Sequence, residues 1–200
     1  MSQITVHPDP FTLIEYDANV IRGIIEDAAA TAEFPTGVDI HLEVDEELFA
    51  PLVGTAADVA DGKAMLWISG ANFEDNRRPR HFSGEQAKND LVVMLLRAKD
   101  RLSDDFKDAP PDNELSRGAR IAWDTYAVGR AARLGIPIRQ PRQIYDFRLQ
   151  HGFSDVADAA FDRCWNAESM TWAGIQEICK ETGAGDRDPG KVPVDLLRQK

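Results

Sequence analysis

Apolar residues alternate with polar ones along two short stretches, "QITVH" at 3 to 7 and "VDIHLEV" at 38 to 44. In the second, Val38, Ile40, Leu42 and Val44 share one face and Asp39, His41 and Glu43 the other, the period of a half-buried strand. "KAMLWISG" at 63 to 70 predicts a third strand. Between the first two, Val20, Ile21, Ile24, Ile25, Ala28 and Ala32 recur at helical spacing, with Asp17 placed to cap the helix and Pro35 to end it. Residues 46 to 62 have no clean period and contain Pro51, Gly54 and Gly62, which predicts an irregular connection.

The strongest helical signal begins at Ser83, where Ala87, Leu91, Leu95, Ala98 and Leu102 form one stripe. The Ser83 hydroxyl is placed to accept from the Gln86 backbone, and the Gln86 side chain to reach back, as in a capping box. Pro110 and Pro111 break the chain, and further helices are predicted from Ser116 to Leu134, Pro141 to His151, Asp155 to Ala167 and Trp172 to Thr182. Gly129, in the middle of the first of these, costs about 1 kcal/mol relative to alanine and implies close packing. The fold class expected is α+β: a small mixed sheet packed by two helices, followed by a helical C-terminal half. One domain is expected over residues 1–182, with sheet and two helices in 1–105, helices in 116–182, and a loosely held tail at 183–200.

Composition sharpens this picture through charge. The 200-residue chain has a formal net charge of -11. Residues 1 to 75 hold fifteen acidic residues against Arg22 and Lys63, a balance of -13. Residues 116 to 150 reverse the sign, with seven arginines against Asp124 and Asp146, a balance of +5. Such asymmetry suits either internal ion pairing or a basic face for an external anion. No apolar run approaches the roughly 20 residues of a membrane span. Two cysteines outside any CxxC pair, and a start unlike a signal peptide, predict a soluble protein of a reducing cytoplasm.

The order helix, strand, strand, strong helix across residues 17 to 102 resembles the N-terminal layout of zincin-like metallopeptidases. In those proteins the strong helix carries HExxH, two histidines binding zinc and a glutamate acting as base. Here that helix reads "NDLVVMLLRAKDR", without histidine, so the resemblance transfers no metal ligand and no catalytic residue. "RRPR", "RAKDRL", "AWDTYAVGRAARLG" and "DFRLQHGFSDVADAAFDRCW" together resemble a family of uncharacterised bacterial proteins of about this length, a likeness that implies no activity.

Candidate chemistry is sparse. His7, His41, His81 and His151 show neither HxH nor HxxxH spacing, and no GxSxG, P-loop or GxGxxG occurs, so neither a metal nor a cofactor is expected. The concentrated feature is "NRRPRHFSGEQ", directly before the strong helix, whose free N–H groups and dipole favour negative charge. Arg77, Arg78, Arg80, His81 and Ser83 are therefore the anion-binding candidates. Tyr126, Arg130 and Arg133 form a secondary set, for which pairing with the protein's own carboxylates is the plainer account. These features favour a non-catalytic binding or accessory protein meeting an anionic ligand or protein partner. The alternative is a hydrolase-like enzyme acting on an anionic small molecule or peptide at the arginine-rich loop, with His81 as the acid–base candidate.

"SDVADAAFDRCW" followed by "TWAGIQEICKETG" has the outline of a helix-turn-helix, but its second helix offers Lys180 against Glu177 and Glu181. Affinity for DNA comes largely from phosphate neutralisation, so an acidic reading helix predicts no nucleic-acid partner. A gel-shift titration at about physiological salt should show no duplex binding at micromolar protein; a salt-sensitive shift would contradict this.

Overall fold

A computed structural model describes residues 2–75 and 78–184, and the expected C-terminal tail falls almost wholly outside them. The chain divides into two compact units, Met1–Lys99 and Asp100–Lys200. The class is α+β, as expected.

The first unit is built on a four-stranded sheet. Strands β1 (Ile4–His7), β2 (Ile40–Asp45), β3 (Thr55–Ala60) and β4 (Lys63–Ser69) lie in the order β1-β2-β4-β3, the first three of that order parallel and β3 antiparallel to β4. Helix α1 (Ala18–Thr31) connects β1 to β2. Asp17 caps it, its carboxylate accepting from the Asn19 N–H at 2.7 Å, and Ala18, Ile21, Ile25 and Ala28 turn inward. In β2, Ile40, Leu42 and Val44 are buried while Glu43 is exposed, the alternation its sequence shows. Each large aliphatic side chain so enclosed contributes about 1.5–3 kcal/mol.

One expectation fails here: residues 46 to 62 are not irregular throughout, because 55–60 form β3. The hairpin closes through Asp61 (φ 51°) and Gly62 (φ 72°), both left-handed, the geometry of a two-residue turn matched to the strand twist. Ala56 and Ala57 are buried in succession, so the strand lacks the alternation that would have revealed it.

After β4 a turn of 3-10 helix (Gly70–Phe73) leads into β5 (Glu74–Asp75) and β6 (Arg78–Phe82), a two-stranded antiparallel ribbon. The arginine-rich segment, read from the sequence as a loop, is thus partly strand. Helix α2 (Gly84–Arg101) follows, with Ala87, Leu91, Val92, Leu95 and Ala98 fully enclosed.

The second unit is helical: α3 (Arg117–Arg133), α4 (Gln140–His151), α5 (Asp155–Asn166) and α6 (Trp172–Glu181), near the predicted bounds. Ser116, Ser154 and Thr171 cap α3, α5 and α6 by accepting from N–H groups three residues on. Trp123, Tyr126, Phe147, Phe161, Cys164 and Ile175 form the core, with Phe106 stacked on Trp123 at 4.5 Å. His151 is buried, and its Nε2 donates to the Gly118 carbonyl at 3.0 Å. Among the described residues no helix is long and apolar enough to cross a membrane.

Gly129 bears out its predicted role. A Cβ there would lie 2.2 Å from the Trp165 carbonyl oxygen, so α3 and α5 meet backbone against side-chain-free surface. Gly129→Ala should destabilise the protein by about 3 kcal/mol or more, since backbone has to move to admit the methyl. Gly23, exposed in α1 with nothing within 4 Å of its added Cβ, should do the reverse, Gly23→Ala gaining about 0.5–1 kcal/mol. Urea unfolding of both variants checks the pair.

Candidate functional site

The ribbon, with Glu74 and Asp75 on β5 and Arg78, Arg80 and His81 on β6, stands on an aromatic base. Tyr16, Phe73 and Phe82 meet edge to face or tilted, with ring centroids 5.0 Å apart for Tyr16 and Phe82, 5.9 Å for Phe73 and Phe82 and 6.1 Å for Tyr16 and Phe73. The Tyr16 hydroxyl donates to the Gly70 carbonyl at 3.0 Å; burial, then the nearby Glu74 charge, push its pKa up to about 12. The Ser83 N–H donates to the Phe73 carbonyl at 2.7 Å, which fixes the end of β6 at the head of α2.

That bond also alters the expected cap. Ser83 Oγ accepts from the Gln86 N–H at 3.2 Å, but the reciprocal half of the capping box is not formed. The Ser83 N–H is already committed to Phe73, and the Gln86 side chain donates to Asp90 at 3.0 Å instead. Of the sequence candidates, Arg78 and His81 are exposed on β6 and Ser83 is partly buried. Neither Arg78 nor His81 makes an ion pair among the described residues. Arg80 lies in β6, though its side chain is not among those described, and Arg77 falls outside the described residues.

A polar chain that sequence reading missed runs from the end of the sheet to α2. The Gly54 N–H donates to Asn72 Oδ1 at 3.0 Å and, more weakly, to Ser69 Oγ at 3.3 Å. Ser69 Oγ donates to Asn72 Oδ1 at 2.7 Å. Asn72 Nδ2 and Gln86 Nε2 then donate to the two oxygens of Asp90, each at 3.0 Å. Burial pushes the Asp90 carboxyl up to about 6, against the two amide donors that favour its charged form. Gln86 and Asp90 are one helical turn apart on α2, which lets the amide reach the carboxylate. Among the described residues no group of three or more His, Cys, Asp or Glu side chains could hold a metal ion.

The secondary candidates come together on α3, each with a partner inside the second unit. The Arg130 guanidinium grips both oxygens of Asp100, at 2.8 and 2.6 Å, and lies 3.9 Å over the Tyr126 ring. Trp123 Nε1 donates to the same carboxylate at 2.8 Å. Arg133 instead donates to the backbone carbonyls of Trp165 and Ala167, at 2.5 and 2.6 Å. Asp112, fully enclosed, receives Arg101 at 3.2 Å and Arg120 at 2.7 Å. Burial raises the thiols of Cys164 and Cys179 to about 12 and about 11, so neither is a ready nucleophile near neutrality.

Asp90 gives a pH test with a definite sign. Its folded pKa lies above the usual carboxylate value near 4, so the stability it contributes is full below about pH 4 and is lost as pH rises through about 6. Urea unfolding from pH 4 to 7 should show wild type losing on the order of 2 kcal/mol relative to Asp90→Asn across that window. Parallel curves for the two proteins would show that Asp90 titrates as an ordinary exposed carboxylate.

Compared with known proteins, the chain matches no family model, no curated protein and no solved structure, so neither resemblance noted in its sequence is extended.

Proposed function

We propose that the chain is a non-catalytic binding or accessory protein whose basic ribbon, at the head of α2, takes an anionic ligand or an acidic segment of a partner protein. The observation that carries this reading is the pair Arg78 and His81, exposed and without an ion pair among the described residues, on a strand that rests on the aromatic base and leads into the capped start of a long helix. Exposed cations on a fixed scaffold, with His81 two residues before the Ser83 cap, favour a phosphate or carboxylate. Arg77 and Arg80 extend the same run of positive charge in sequence. A reducing cytoplasmic setting suits two buried thiols that form no disulfide.

The chain's best-placed reactive groups support binding over catalysis. Both Asp90 oxygens already accept amide donors, and both thiols are buried and protonated near neutrality. One observation favours the enzymatic alternative: Asp90 sits within two turns of Ser83 with a pKa raised toward the range of a general base. In that reading it would act on an anionic substrate held by the ribbon.

The test is thermal unfolding of wild type and of the triple variant Arg77→Ala, Arg78→Ala, Arg80→Ala, in sulfate against chloride at matched ionic strength. An anion site predicts an extra rise in melting temperature with sulfate in wild type, by mass action on the native state, and its loss in the variant. Parallel responses would dismiss the site. A variant less stable at low salt, with no extra sulfate effect in wild type, would show the arginines serving the protein's own acids, each exposed pair worth about 0.2–1 kcal/mol.

A further inference from the structure

The second unit carries a pocket unrelated to the ribbon. Its volume is about 390 Å³, and it lies between the start of α3 and one face of α6, where Ser116, Ala119, Trp172, Gln176, Cys179 and Lys180 line it. That volume falls within the range of small-molecule sites. The apolar part is formed by Pro110, Ala119, Cys179 and the indole of Trp172. Cys179 belongs to this part, because its buried thiol stays protonated and behaves as a small apolar group. The Trp172 indole is partly exposed and gives the lining an aromatic side chain.

The polar groups are all able to donate. Ser116 Oγ accepts from the Ala119 N–H at 3.2 Å, which leaves its own proton for a ligand. Gln176 contributes an exposed amide. Lys180 is exposed and makes no ion pair among the described residues. Glu177 and Glu181 line the adjoining depression with Lys180, but Glu181 is already bound by both terminal nitrogens of Arg163. Among the described residues that line the pocket the one charged side chain is a cation, Lys180, alongside the aromatic Trp172.

We propose that this pocket binds a small aromatic carboxylate, its ring against Trp172 and Cys179 and its carboxylate at Lys180, with Gln176 and Ser116 as neutral donors. The site is independent of the ribbon and takes a ligand of a different shape. The test uses the full chain and three probes of one ring size: phenylacetate, benzyl alcohol and phenethylamine. Binding is followed by calorimetry and by the change in tryptophan fluorescence. Phenylacetate should bind at least about tenfold more tightly than either comparator. Lys180→Gln, a change at an exposed position that leaves the core intact, should weaken phenylacetate about tenfold and leave benzyl alcohol unchanged. The fluorescence change should vanish in Trp172→Phe while calorimetry still registers binding. Equal affinity for the three probes, unaltered phenylacetate binding in Lys180→Gln, or no binding of phenylacetate at about 10 mM would each overturn the proposal.

Discussion

A charge removed from water has to be met by a partner at once, and this requirement organises the second unit. Asp100 and Asp112 are buried carboxylates. Leaving either unpaired would cost several kcal/mol, a large share of what holds a domain of this size together. Asp100 is therefore met by Arg130 and Trp123 together, and Asp112 by Arg101 and Arg120. Each carboxylate ties α3 to the chain that precedes it. Directional bonds of this kind set the register of a helix, whereas apolar packing alone would tolerate sliding. Trp123 joins the two effects, since its ring stacks on Phe106 and its N–H binds Asp100.

The same requirement explains what became of the charge asymmetry. Arginines at 120, 130, 142 and 148 pair with Asp112, Asp100, Asp146 and Asp158, all within the second unit. Their partners lie close by in the chain or one helix away. A net balance over a window of sequence hides such pairing, because it sums charges without regard to which ones are buried.

Elements with a strong amphipathic stripe were legible in the sequence: α1, α2 and the four helices of the second unit, and the alternating β1 and β2. Asp17 and Ser83 were readable as caps because capping is local, decided within three residues. β3 was not legible, since two neighbouring alanines are buried and its length is short, although the Asp61–Gly62 pair was a turn signal in plain view. The ribbon escaped notice because Pro79 and a row of arginines carry no strand pattern. The polar chain ending at Asp90 was beyond reach for another reason: Asn72 lies eighteen residues from Asp90, and Gly54 eighteen from Asn72. Only the sheet brings them together. For the candidate site, the sequence located the cations and the helix start, while the aromatic base depends on Tyr16, more than fifty residues away from Gly70 and Phe82.

The contact between α3 and α5 reaches further than packing. Helix α5 ends at Asn166 and is followed by Ala167 in extended conformation, with no glycine of its own to turn the chain. The carbonyls of Trp165 and Ala167 are instead satisfied by Arg133, while the Trp165 carbonyl also faces the bare backbone at Gly129. One helix thus contributes to the end of another. Within α5 the Asn166 side chain donates to the Asp162 carbonyl at 2.9 Å, and the Arg133 bonds add to that end from α3. Helix ends that are reinforced by tertiary contact in this way make the folding of the unit cooperative, because the boundary of one element is firmer once its neighbour is in place.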